Sequence, residues 1–241
     1  MKIEQKFFVG IQDVGLNNKI TDKALLEALT NVTILHGNLV NQGLKDRKNN
    51  HYEWIVLNWK LEVYNRPESC DTIRVKTWAQ NFTKIYAYRD YLVYNENDEV
   101  VAKATSTWLI IDSESKKIIK LDDDIMQVYQ PEKENLNFPD YKFGKIEEKN
   151  LTLIAKKNFI INKSMIDCNN HVHNTNYMDL VLEVLPDPLD KKLYNNLEIS
   201  YKREIKPFEN VTINFYIQNN KNYFIIKDEE EKIVHSIIIL Y

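Results

Sequence analysis

One order of elements, run twice, restricts the possible folds of this chain more than its composition does. An apolar segment at residues 7–11 precedes a helical pattern over residues 21–40, where Leu25, Leu26, Leu29, Val32, Ile34 and Leu35 recur at near-helical spacing. Thr21 or Asp22 stands where a cap would start that helix. Four strand-like segments follow, at residues 54–64, 72–78, 86–94 and 100–111. In the second, Ile73, Val75 and Thr77 alternate with Arg74 and Lys76, the pattern of a sheet with one buried face. Residues 95–99 (NENDE) read as a hairpin loop between the third and fourth. The second half repeats the order: a segment at 158–161, a helix over 175–185 ended by Pro186 and Pro188, then strands at 197–205, 211–218, 223–227 and 233–241. Between the halves, residues 122–150 are polar and acidic, contain Pro131 and Pro139, and read as a linker. The repeat is one of order only, not of residue identity. It predicts an α+β chain of two antiparallel sheets, each wrapping a long helix, divided as 1–121, 122–150 and 151–241.

Bulk properties narrow the function. A chain of 241 residues with 44% apolar content can bury a sizeable core and is not a disordered protein. A formal charge of −3 with no dominant basic tract gives no electrostatic reason to expect nucleic acid. No apolar run approaches the roughly 20 residues of a membrane span. The first residues carry only a short apolar run, so a secretory signal is not expected. Two cysteines, Cys70 and Cys168, make no disulfide framework. A cytoplasmic protein with no membrane partner is the expectation. The many Asn, Lys and Ile residues read as composition bias, so motif spacing has to carry the functional reading.

Residues 167–177, DCNNHVHNTNY, supply that spacing. Asp167, Asn169 and His171 alternate, Asn174 and Asn176 offer helix N-caps, and an apolar run follows. Polar groups gathered where a helix begins face its unpaired N–H groups, a natural place to stabilise an oxyanion. Glu204 lies farther on, in an apolar, strand-like segment. Acid, amide, imidazole and acid suffice for hydrolysis by an activated water. Each residue alone has a plainer reading: Asp167 and Asn169 as turn formers, His171 as structural, Glu204 as an exposed strand residue. Their coincidence favours catalysis. A nucleophilic pair of Cys168 and His171 is the weaker alternative, because nothing marks the thiol as activated. His171 and His173 form an H-x-H pair, but without further ligands nearby no metal is expected.

The segment resembles the acyl-acyl-carrier-protein (acyl-ACP) thioesterases, whose familiar run is D-x-N-x-H-V-N-N-x-x-Y before a helix. Asp167, Asn169, His171, Val172, Asn174 and Tyr177 match it, with His173 where asparagine is usual. The second family motif, roughly L-x-x-E-Y-R-R-E-C, is similar to residues 197–205, with Tyr201, Lys202, Arg203 and Glu204 in register. Ile205 replaces the cysteine, which removes a thiol nucleophile at that position. The first half is similar in VKTW (residues 75–78), in Arg89 with Asp90, and in ATSTWLIID (residues 104–112).

The resemblance implies a tandem, double-hotdog fold and hydrolysis of fatty acyl-ACP to free fatty acid. It implies Glu204 as general base, and a carboxylate in an apolar sheet should have its pKa raised by desolvation, which makes it a better base than an exposed one. Asn169 would hold the water or the carbonyl oxygen, His171 would donate to substrate or leaving group, and Asp167 would orient His171. Asn174, Tyr177, Trp78 and Trp108 are the expected substrate-binding residues, with Trp59 another tunnel candidate. Any single tryptophan is as well read as ordinary core. The acyl group arrives on the phosphopantetheine of acyl carrier protein, so no cofactor of the chain's own is expected. That carrier is acidic, and Lys156, Lys157, Lys191, Lys192, Lys202 and Arg203 are candidate docking charges. The alternatives are an acyl-CoA thioesterase, a hydroxyacyl dehydratase or a non-catalytic acyl-binding module. Two joined hotdogs are compatible with a monomer or a homodimer.

Overall fold

The computed structural model describes residues 1–134, 136–186 and 192–241, the side chains of Arg47 and Lys48 excepted. Pro188 and Lys191 lie outside the described residues. The first half contains β1 (Lys2–Phe8), α1 (Asp22–Leu39), α2 (Arg47–Asn50), β2 (Tyr52–Val63), β3 (Thr72–Phe82), β4 (Ala87–Tyr94), β5 (Val100–Asp112) and the two-residue β6 (Ile118–Ile119). A short α3 (Asp123–Met126) follows. The second half contains β7 (Thr152–Ile160), α4 (Tyr177–Val184), β8 (Asn196–Tyr201), β9 (Asn210–Gln218), β10 (Lys221–Asp228) and β11 (Val234–Leu240).

The element order is as the sequence predicts, but the sheet is not. Two separate sheets were expected, and one continuous antiparallel sheet is found, in the order β1-β3-β4-β5-β2-β8-β11-β10-β9-β7 with β6 on β5. The join is β2 on β8, with Trp59 opposite Ile199 and Leu61 opposite Leu197. Unjoined, each of these strands would present a row of unpaired N–H and C=O groups along an apolar edge, and pairing them satisfies both. One cluster of buried side chains runs through both halves, from Val9 to Leu240.

The helices differ in length. Thr21 caps α1 by accepting the Ala24 N–H at 3.1 Å. Its buried face, including Leu25, Leu29, Val32 and His36, lies against β1 and β3. The second long helix is not formed: α4 has 8 residues and packs against β7 and β9. The expected caps are absent there. Asn176 has helical backbone and donates its amide to the Met165 carbonyl instead.

Of residues 122–150, expected as a linker, Met126 and Tyr129 pack on the inner side of the sheet against Ala87 and Trp54, and the part from Asn137 to Ile146 straps the outer face. Met126 and Tyr129 are buried. Asn137 donates its side-chain amide to the Tyr91 and Ala104 carbonyls and its backbone N–H to the Asp90 carboxylate, each within 3.0 Å. Tyr141 donates to the buried Glu198 at 2.9 Å. Burial, chiefly, raises the Asp90 pKa, opposed by the Asn137 N–H.

Candidate active site

The motif begins with a turn that its own acid builds. The Asp167 carboxylate accepts the backbone N–H of Asn169 at 2.8 Å and of His171 at 3.3 Å. The main chain closes the turn, Asp167 N–H to the His171 carbonyl and Asn170 N–H to the Asp167 carbonyl. Asn170 takes a left-handed φ of 64°, a conformation asparagine tolerates. Asp167 therefore orients His171 through its backbone. Thr175 ties the segment to α1, donating to Glu27 at 3.3 Å.

Glu204 reaches the motif from a loop. Strand β8 ends at Tyr201, because the N–H groups of Lys202 and Arg203 both donate to the His235 carbonyl and turn the chain out of the ladder. Ile205 is then buried, and its carbonyl accepts the Val172 N–H at 3.1 Å. That bond fixes the two segments side by side, and His171 Nε2 lies 3.0 Å from Glu204 Oε2. The expectation of a carboxylate desolvated in a sheet is corrected here: the Glu204 side chain is 53% exposed. Burial, chiefly, raises the pKa of the neighbouring Tyr177 hydroxyl, and the Glu204 charge adds to it.

A cavity of about 240 Å³ opens between α1 and the inner face of the sheet. Asp167, Cys168, Asn169, His173 and Asn174 close one side of it. Thr30, Thr33, Ile34 and Gly37 of α1, Trp54 and Ile55 of β2, Ala87 and Arg89 of β4, and Trp108 of β5 supply most of the rest. Gly43 lets the loop after α1 cross it closely, since a Cβ there would meet the Asn38 backbone nitrogen at 2.7 Å.

The structure divides the expected site residues. Asn169, Asp167, Asn174 and Trp108 line the cavity, while His171 and Glu204 pair just beyond the lining. Tyr177 is buried in α4 with its ring 5.1 Å from Tyr201, whose hydroxyl donates to the Asn174 carbonyl; it braces the motif and does not line the cavity. Trp78 is corrected more strongly. It pairs across β3 and β4 with Asp90, so it shares the outer face under the strap, and the Lys2 ammonium lies over its ring at 4.9 Å. Trp59 is core, packed on Tyr91 and Trp108. Cys168 is an exposed free thiol. His173 turns Nδ1 to the Thr175 hydroxyl at 2.8 Å. Of the candidate docking charges, Lys156 is paired with Glu231 and Lys157 with Glu183, Lys192 lies over the Tyr194 ring, and Lys202 and Arg203 are exposed.

One wall residue was not singled out by the motif: Arg89, 7% exposed, at the same inward position of β4 as Ala87, Tyr91 and Val93. A cation at the buried parity of an apolar strand is the signal that marks it.

A sheet of this kind with its helix packed inside belongs to the hotdog type, and solved structures agree. A Bacteroides thetaiotaomicron acyl-ACP thioesterase superposes with a TM-score of 0.86 over 99% of this chain and 96% of its own, at 18% identity. The 12:0-ACP thioesterase of Umbellularia californica superposes at 0.84 over 99% and 96%, at 16% identity. Models of the acyl-ACP thioesterase N-terminal domain (residues 1–129) and C-terminal domain (residues 148–239) match between them most of the chain. The chain belongs to the acyl-ACP thioesterase family. It is 25% identical to the chloroplastic oleoyl-acyl carrier protein thioesterase of Coriandrum sativum, over 85% of this chain and 59% of that protein. A palmitoyl-acyl carrier protein thioesterase of Cuphea hookeriana is 24% identical, over 83% and 51%. The chain thus spans between half and two thirds of the length of these plant relatives.

Proposed function

We propose that this protein hydrolyses the thioester of fatty acyl-ACP by an activated water, releasing free fatty acid. The observation that carries the reading is the meeting of His171 and Glu204 at 3.0 Å beside a turn that presents Asn169 to the cavity. In the proposed reaction the acyl chain occupies the cavity and the thioester lies at the turn. Glu204 is held by His171 on one carboxylate oxygen and takes a proton from water with the other. The water oxygen bonds to the carbonyl carbon, and Asn169 holds the developing oxyanion. Collapse breaks the C–S bond, and the pantetheine thiolate takes the proton back from this pair. Cys168, an exposed free thiol, has no part in it.

The same proposal includes the double-hotdog plan, with residues 1–121 as acyl-binding half, 122–150 as connector and 151–241 as catalytic half. Acyl carrier protein is the partner, Lys202 and Arg203 are the docking charges nearest Glu204, and the site is cytoplasmic. Among the described residues no helix is long and apolar enough to cross a membrane. The test is thiol release from acyl-ACPs and acyl-CoAs of graded chain length. A maximum at one chain length on ACP supports the reading. Enoyl product without thiol release would replace it with a dehydratase, and bound lipid without turnover with a binding module.

A further inference from the structure

Residue 173 is where the chain departs from the asparagine usual in the family's run, and the imidazole it carries is tied to α1. His173 Nδ1 lies 2.8 Å from the Thr175 hydroxyl oxygen, and that hydroxyl donates to the Glu27 carboxylate at 3.3 Å. Thr175 is 2% exposed, so the chain of three groups passes through the protein and not through solvent. A hydroxyl has one proton to donate. Because it goes to Glu27, the Thr175 oxygen accepts from His173, and the proton of the neutral imidazole sits on Nδ1. Nε2 then carries the lone pair and is the basic nitrogen.

The ring stands at the motif end of the cavity. His173 lines it together with Asp167, Asn169 and Asn174. Val172, between the two histidines, is buried and forms a bridge with Ile166. Residues two apart on such extended backbone share a side and lie about 7 Å apart along the chain. His171 and His173 therefore flank one place, the first paired with Glu204 and the second with Thr175 and Glu27. The site also has Ile205 where the family has cysteine, so it loses one ionisable group there and gains one at His173.

We propose that His173 is a second base of the reaction, which holds the attacking water by Nε2 opposite Glu204 and takes its second proton. An attacking water has two protons to lose before the product is a carboxylate. One goes by way of Glu204 to sulfur. On collapse the oxyanion re-forms the carbonyl, the C–S electron pair leaves with sulfur, and the O–H proton of the new acid passes to Nε2. The products are a carboxylate and a thiol, and the imidazolium returns its proton to solvent. Glu27 stabilises that imidazolium through Thr175, which makes these two positioning residues. The inference rests on the thioesterase reading and adds a residue to its site.

The experiment measures kcat and KM for thiol release from the preferred acyl-ACP, with nitrogen-15 NMR of the histidine rings to read the tautomer. His173→Asn, whose amide accepts a hydrogen bond but takes no proton, is expected to lower kcat roughly a hundredfold with KM little changed. Thr175→Val lowers kcat as well and loses the Nδ1–H signature of the wild-type ring, while Thr175→Ser keeps both rate and signature. Glu27→Gln keeps the hydrogen bond and the signature but lowers kcat, because the charge is gone; it serves if Thr175→Val does not fold. Full kcat in His173→Asn, with Glu204→Gln inactive, overturns the inference and leaves the thioesterase reading intact. A wild-type His173 ring protonated on Nε2, or full kcat in Glu27→Gln, overturns the part played by Thr175 and Glu27. Release of thiol by wild type from no acyl thioester overturns the thioesterase reading itself.

Discussion

His36 is fully buried with Nδ1 on Arg89, and burial first, then that cation, brings its pKa from 6.5 to about 3. The folded value lies below the unfolded one. As pH falls through about 6.5 the unfolded chain therefore takes up a proton that the folded chain refuses until about 3. Stability falls across that window by up to about 1.4 kcal/mol per pH unit from this group alone. Urea midpoints measured from pH 7 to pH 4 should drop more steeply in wild type than in His36→Gln. Parallel curves would contradict it. That Asp167, Asn169, His171 and Glu204 would come near one another was legible in the sequence, because they belong to two short runs. Their settings were less so. The exposure of Glu204 follows from a single carbonyl, that of His235, accepting two successive N–H groups and ending β8. The outward position of Trp78 follows from its register opposite Asp90. The place of Arg89 in the cavity wall was not legible because parity in β4 counts only once a cavity is known to lie on that face.

At the scale of elements, the start of α1 holds two different kinds of stabilisation. Thr21 caps it, and Thr21→Ala should cost about 1 kcal/mol. Asp22 is 2.5 Å from Arg66, a buried cation that also donates to the Ile20 and Tyr194 carbonyls and so ties the helix to the second half. Asp22→Ala leaves Arg66 buried without its acid, and the expected loss is larger, about 3 kcal/mol or more. Chemical denaturation of the two variants checks the order. Equal losses would mean that solvent reaches Arg66 freely. Of the elements, α1 was readable from leucine spacing and its cap. The true extent of β1 was not, for it is an edge strand whose Lys2, Glu4 and Lys6 face outward and whose inward residues are only half-buried. The expected second long helix fails for a local reason. Residues 174–176 form a separate 3₁₀ turn, and the helix stops at Val184, just before Pro186.

At the scale of the molecule, the sheet is one object. With β2 on β8 and a shared core, neither half can unfold without exposing an apolar strand edge of the other. Calorimetry should therefore give one transition with equal calorimetric and van't Hoff enthalpies. Two resolved transitions would contradict the joined sheet. The join was invisible in the sequence because Trp59, Leu61, Leu197 and Ile199 are equally suited to two separate cores. Alternation specifies which face is buried, not which edge meets which.

The proposed reaction requires His171 and Glu204 to act as a pair. Thiol release from a saturated acyl-ACP at the preferred chain length, by wild type, Glu204→Gln, His171→Ala and the double variant, tests this most directly. With folding verified by circular dichroism, Glu204→Gln should lose roughly two or more orders of magnitude in kcat. His171→Ala should also fall, and the double variant should be little worse than the poorer single one, as for groups that work as a unit. Wild-type turnover in Glu204→Gln would contradict the account.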